Sequence, residues 1–138
     1  MKTDSFTDDQ IREILSLNKI TVVGMSQHPH KDAHVVPRYL AEQGYDIIPV
    51  NPNAEKILGR KSYPSISDVP EEIDIVEVFR PSDQVLPVVK EAIKKKPKVI
   101  WLQEGIHNII AENLARNAGI KVVFNRCMLV EHRRLIQN

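Results

Sequence analysis

The stretch V-V-G-M-S-Q-H-P-H-K-D-A-H, Val22–His34, decides how this chain is read. It follows a short β-branched run, Ile20–Val23, which reads as a strand. Gly24 comes at once, where a tight strand-to-helix turn needs a residue without a side chain. A glycine in that place commonly cradles a phosphate, because a helix N-terminus presents unpaired N–H groups to anions. The dinucleotide fingerprint G-x-G-x-x-G is broken, since its three glycine places hold Gly24, Ser26 and Pro29. Three readings stand: a degraded nucleotide loop, an ordinary turn, or a loop built for a different phosphate ligand.

Outward from this loop the chain alternates between strand-like and helix-like segments. Before it, Thr7 and Gln10 form a capping box, with Phe6 and Ile11 placed as a hydrophobic staple. Ile11, Ile14, Leu15 and Asn18 fall on one face, so residues 8–17 are expected to pack as an amphipathic arm, residues 1–19, on a domain of residues 20–138. After the loop a helix runs through Tyr39 and Leu40 to Gly44, with Pro37 acceptable only in its first turn. Strands are expected at 46–50, 74–79, 98–102 and 121–124, with a brief edge segment at 61–63 ended by Pro64. Helices are expected at 83–95, 109–118 and 128–135. The strands are continuous apolar runs, as when both sheet faces are covered. Such alternation defines an α/β domain, a doubly wound parallel sheet with helices on both faces.

The bulk numbers limit the function classes. A chain of 138 residues suits one domain. A net charge of +1 leaves no electrostatic footprint for nucleic acid or an anionic membrane. No apolar run approaches the ~20 residues that span a bilayer, and the start M-K-T-D-S-F-T has no signal-peptide core. One cysteine cannot form an internal disulfide, and no Cys/His pair has zinc spacing. The expectation is a soluble, cytoplasmic protein without metal.

In open parallel sheets, ligands bind beyond the carboxyl ends of the strands, near the switch in strand order. Five loops qualify. The first carries Gly24, Met25, the Ser26 hydroxyl, His28, His30, Lys31 and Asp32, and suits an anion or a solvated turn. The second reads V-N-P-N, so Asn51, Pro52 and Asn53 stand where an NAD fold places an acid, with Lys56 downstream. That is turn chemistry as well as a place tolerant of phosphate. In F-R-P-S, Phe79, Arg80 and Pro81 end the middle strand and offer a charge and a flat apolar surface, while Ser82 or Asp83 caps a helix. Gln103, Glu104 and Gly105 form the fourth loop, and Glu104 lacks a second carboxylate for hydrolysis. In N-R-C-M, Cys127 opens a helix beside Arg126, a setting that favours a reactive thiol against the plainer reading of a buried inert one.

Together, G-x-S…P-x-x-D, V-N-P, V-F-R-P, W-L-Q with G-I, and N-R-C-M-x-x-E-H resemble the small stand-alone CoA-binding proteins. These are similar to the N-terminal CoA-binding domain of the succinyl-CoA synthetase alpha subunit. The likeness runs from about Ile20 to Leu135. It implies a Rossmann-like sheet of order 3-2-1-4-5-6, with Lys61–Tyr63 as the edge strand. It implies that residues 24–32 hold the CoA diphosphate, and that Asn51–Asn53 and Phe79–Pro81 flank the adenosine. Gln103–Ile106 and Asn125–Cys127 would line the pantetheine arm and the thiol. His28, His30, Lys31 and Lys56 are candidates for the 3′-phosphate. The implied function is binding of coenzyme A or an acyl-CoA, as carrier, sensor or accessory subunit, with a protein partner or a homo-oligomer left open. The alternatives are an acyl-CoA-using enzyme that needs a partner and, behind it, an NAD(P)-linked oxidoreductase.

Overall fold

A computed structural model describes residues 1–137. The elements are α1 (Asp8–Leu15), β1 (Lys19–Val23), α2 (Asp32–Glu42), β2 (Asp46–Val50), β3 (Lys56–Ile57), β4 (Arg60–Lys61), β5 (Ile75–Val78), α3 (Val85–Lys94), β6 (Val99–Leu102), α4 (Ile109–Asn117), β7 (Lys121–Val123) and α5 (Met128–Leu135). Single 3-10 turns sit at Ile66–Asp68 and Ser82–Gln84.

Five strands pair in parallel in the order β2-β1-β5-β6-β7. Their residues are buried on both sides, which is why the runs are continuous rather than alternating. On one face Ile20, Ile47, Ile75 and Trp101 pack under α1, α2 and α5. On the other, Ile48, Val76, Ile100 and Val122 pack under α3 and α4. The chain moves outward from β1 to β2, then returns past β1 to β5. Strand order therefore reverses between β1 and β5, and that gap is where a ligand cleft is expected.

The expected sixth strand shrinks to one bridge. Tyr63 donates to the Pro49 carbonyl (3.0 Å) and accepts from the Asn51 N–H (2.9 Å), which pairs it with Val50. The next rung would require Pro49 to donate to the Lys61 carbonyl, and proline has no N–H. Lys61 instead pairs with Lys56 in the separate β3–β4 hairpin.

Two helix expectations also change. The capping box forms as read, with Gln10 N–H on Thr7 Oγ1 and Thr7 N–H on Gln10 Oε1. The helix nevertheless ends at Leu15, and Asn18 lies beyond it, exposed. Pro37 falls in the second turn of α2 rather than the first. A proline there leaves the carbonyl four residues earlier, that of Ala33, without its helical donor. The Ser26 N–H takes the vacated place at 3.0 Å. The helix defect thus becomes a tether for the preceding loop.

Candidate functional site

The site is assembled where β1 and β5 end side by side. Phe79 N–H donates to Val23 O (2.9 Å) and Gly24 N–H to Val50 O (3.1 Å), so the three chains leave the sheet in contact. Gly24 has φ +81°, and a Cβ on it would stand 2.4 Å from the Phe79 carbonyl oxygen and 3.2 Å from Arg80 Cδ. Only glycine lets the first loop cross this close to the third.

The first loop is tied largely to the protein itself. Met25 is fully buried, and its side chain joins the core instead of facing a ligand. The Ser26 peptide is held twice, its N–H by Ala33 O and its carbonyl 2.8 Å from His34 Nδ1. Ser26 Oγ accepts the His28 N–H at 3.0 Å. His28 and His30 are exposed on the loop. Lys31 is the N-cap of α2, extended in backbone conformation, and Asp32 begins the helix. The amides of Asp32 and Ala33 belong to the first turn and have no intrahelical carbonyl to meet.

Asn51 braces the loops. Its Nδ2 donates to Met25 O (2.9 Å), and its Oδ1 accepts the Asn53 N–H (2.8 Å). Asn53 is exposed, and its carbonyl accepts weakly from Gln27 Nε2 at 3.4 Å. Lys56 lies in the β3 hairpin, exposed. Gly105 N–H is held by Asn125 Oδ1 at 2.6 Å. Arg126 does not sit beside the thiol chemistry expected of it. Its guanidinium pairs with Asp4 at 2.7 Å and donates to Phe6 O, pinning the N-terminal arm.

A cavity of about 710 Å³ opens at the carboxyl ends of the strands. Lys31, Asp32, Phe79, Arg80, Pro81, Gln103, Glu104 and Cys127, all named from the sequence, line it. Val35, Val36, Ile106 and Leu129 supply an apolar wall, and Arg133 a third cation. Sequence reading missed Arg133, although it follows Leu129 by one helical turn on α5 and so shares its face. Its guanidinium carbon rests 5.1 Å from the Tyr39 ring centroid. A smaller cleft of about 190 Å³ lies across Arg80, lined by Gly24, Pro52, Pro64 and Ile66 among others. Met25, Ser26, His28, His30, Asn51, Asn53, Lys56, Gly105 and Arg126 line neither space.

Two buried acids flank the site in contrasting ways. Glu112 is 1% exposed; its Oε2 receives the Asn108 N–H and meets His107 Nδ1, each at 2.6 Å, which knots the loop after β6, while its Oε1 has no hydrogen-bond partner among the described residues. Glu77, in mid-β5, is fully buried between Val22 and Trp101, and among the described residues neither oxygen has a hydrogen-bond partner. Trp101 Nε1 is committed to Arg126 O at 2.8 Å and cannot help. Burial pushes the Glu77 carboxyl up to about 8.

Fold and cleft define a doubly wound α/β domain with a candidate site at its switch point, lined by three cations, two carboxylates and apolar side chains. Residues 18–133 match the family described as "CoA binding domain", and the chain belongs to that family. It is 38% identical to the Bacillus subtilis protein YneT, covering 89% of this chain and 92% of that one. A solved structure from Pyrococcus horikoshii OT3 superposes with a TM-score of 0.92 at 47% identity, over 96% of this chain and 94% of the other. An ADP-forming acetate–CoA ligase II of Archaeoglobus fulgidus is 34% identical over 68% of this chain. The matched region is only 14% of that ligase.

Proposed function

We propose that the protein binds coenzyme A or an acyl-CoA across the β1–β5 switch point, as a carrier, sensor or accessory subunit. The observation that carries this reading is one cavity with cations at its rim and an apolar wall leading to a thiol. Lys31, Arg80 and Arg133 suit the phosphates, and Val35, Val36 and Ile106 suit the pantetheine arm. The smaller cleft, with Pro52, Pro64 and Ile66 opposite Arg80, suits the adenosine. The first loop supports a diphosphate through the open amides of Asp32 and Ala33 and the Lys31 ammonium rather than through a glycine-rich backbone. His28, His30 and Lys56 stand apart from both spaces and rank behind Lys31, Arg80 and Arg133 as phosphate partners.

A role as accessory subunit draws on the ligase relatives, in which a similar region forms a minor part of a longer protein. NAD is disfavoured because Asn51, where that cofactor needs an acid, is spent on Met25 O and Asn53 N–H. Thermal melting with CoA, dephospho-CoA, NAD and NADP tests the reading. CoA at ~100 times its dissociation constant adds about 2.7 kcal/mol, a rise of roughly 2–8 °C for a domain of this size. A clear rise with NAD and none with CoA overturns it.

A further inference from the structure

Binding alone leaves the chemistry on the β6–β7 side of the cavity unused. Cys127 is a free thiol, only partly buried, at the N-cap of α5, and its side chain makes no capping hydrogen bond. It lines the cavity. Gln103 lines the same cavity and is only 5% exposed. Its amide is divided between two tasks. Oε1 accepts the Met128 N–H at 2.9 Å, which fixes the side chain against the start of α5. Among the described residues Nε2 has no hydrogen-bond partner, so this donor is left to the cavity. A fixed amide donor beside a thiol, with Phe79 and Leu129 in the same wall, is what a thioester carbonyl requires.

Resting on the CoA reading, we propose that Cys127 is an acyl acceptor and Gln103 the donor that holds the thioester oxygen. The Cys127 thiolate attacks the carbonyl carbon of an acyl-CoA, forming a C–S bond. Negative charge develops on the carbonyl oxygen, where Gln103 Nε2 donates to it. Collapse of the tetrahedral adduct breaks the C–S bond to CoA. The CoA thiolate leaves and takes up a proton equal to the one Cys127 lost. One thioester replaces another, so no oxidant, reductant or phosphoryl donor enters the balance. The class of substrate is a short or medium acyl-CoA whose acyl group fits against the apolar wall.

The test incubates the full chain with acetyl-CoA and with octanoyl-CoA, following intact mass and released CoA thiol. The expected result is one hydroxylamine-labile acyl group per chain, mapped to Cys127 by peptide mass spectrometry, with one CoA released. Cys127→Ser abolishes it. Gln103→Glu keeps an acceptor for the Met128 N–H but removes the donor, and slows acylation by about a hundredfold. Peptide mapping of the unmutated chain locates the acyl group even if a variant folds poorly. A melting shift with acetyl-CoA but no acyl group on Cys127 overturns the acceptor role and leaves the binding reading intact. An acyl group found on lysines alone does the same. No melting shift with any CoA species removes the binding reading itself.

Discussion

The two ends of the cleft are built on opposite plans. At the β1 end, the Ser26 peptide and the Asn51 side chain are engaged by neighbouring protein groups, and Ser26 Oγ accepts the His28 N–H. At the β6–β7 end, Gln103 satisfies one half of its amide and leaves the other to the cavity, next to a free thiol. The first end is braced by the protein, with the amides of Asp32 and Ala33 left open at the start of α2. The second leaves one side-chain amide donor, Gln103 Nε2, unpaired among the described residues. A loop that looks like a phosphate loop in sequence can therefore be partly scaffold, while Gln103 lies two strands away after β6 and Cys127 three strands away after β7.

The largest expected effect of a substitution at fixed pH 5 sharpens that contrast through a pair of glycines. Gly24 and Gly105 have nearly equal backbone angles, φ +81° and +84°. Around Gly105 a Cβ would meet nothing within 4 Å, whereas at Gly24 it would strike the Phe79 carbonyl. Urea unfolding of Gly24→Ala should show a loss of about 3 kcal/mol, with CoA binding lost as β5's exit is pushed away. Gly105→Ala should lose about 1 kcal/mol. Equal losses at the two sites would mean that the close crossing does not organise the cleft.

A pH-dependent effect is expected of Glu77, on the strand between the two ends. Its folded pKa is raised, so between the ordinary glutamate value of 4.5 and about 8 the folded state holds a proton that the unfolded chain has released. Stability from this group is complete below pH 4.5 and falls as pH rises, by ~1.4 kcal/mol per unit, until about pH 8. Glu77→Gln should flatten that slope in unfolding measured at pH 5, 6.5 and 8. A variant with the same slope as the parent would show that Glu77 is not the group responsible.

The smallest effect concerns the brace between the first and second loops. Asn51→Asp keeps the acceptor for the Asn53 N–H but cannot donate to Met25 O. A loss of about 1 kcal/mol is expected, with faster hydrogen exchange confined to residues near Ser26. Exchange that also quickens around Gln103 would show the two ends to be coupled, breaking the contrast drawn between them.

Much of the fold was legible because its signals are local. The β-branched runs, the Thr7–Gln10 box and the glycines after helices each depend on neighbours within a few residues. The edge strand was misread because its fate depended on Pro49, a residue in a different strand whose missing donor matters only once Tyr63 lies beside Val50. Pro37 was misplaced because its cost is offset by Ser26, eleven positions earlier. Site residues followed the same division. Lys31, Arg80, Gln103 and Cys127, singled out from loops beyond the strands, line the cavity. Arg126 was drawn away by Asp4, which lies far off in sequence, and Arg133 entered from the side of α5.

The sequence by itself determined the alternation of strand and helix, the parallel sheet buried on both faces, and the five loops at its carboxyl end. Those follow from apolar periodicity and turn chemistry, which act over one or two turns of chain. Only the tertiary structure decided which polar groups in those loops are already satisfied and which remain for a ligand. Each N–H or O–H proton serves one strong hydrogen bond, and its acceptor can come from any part of the chain. Ser26 and Arg126 were claimed by the protein, while Gln103 Nε2 was left to the cavity.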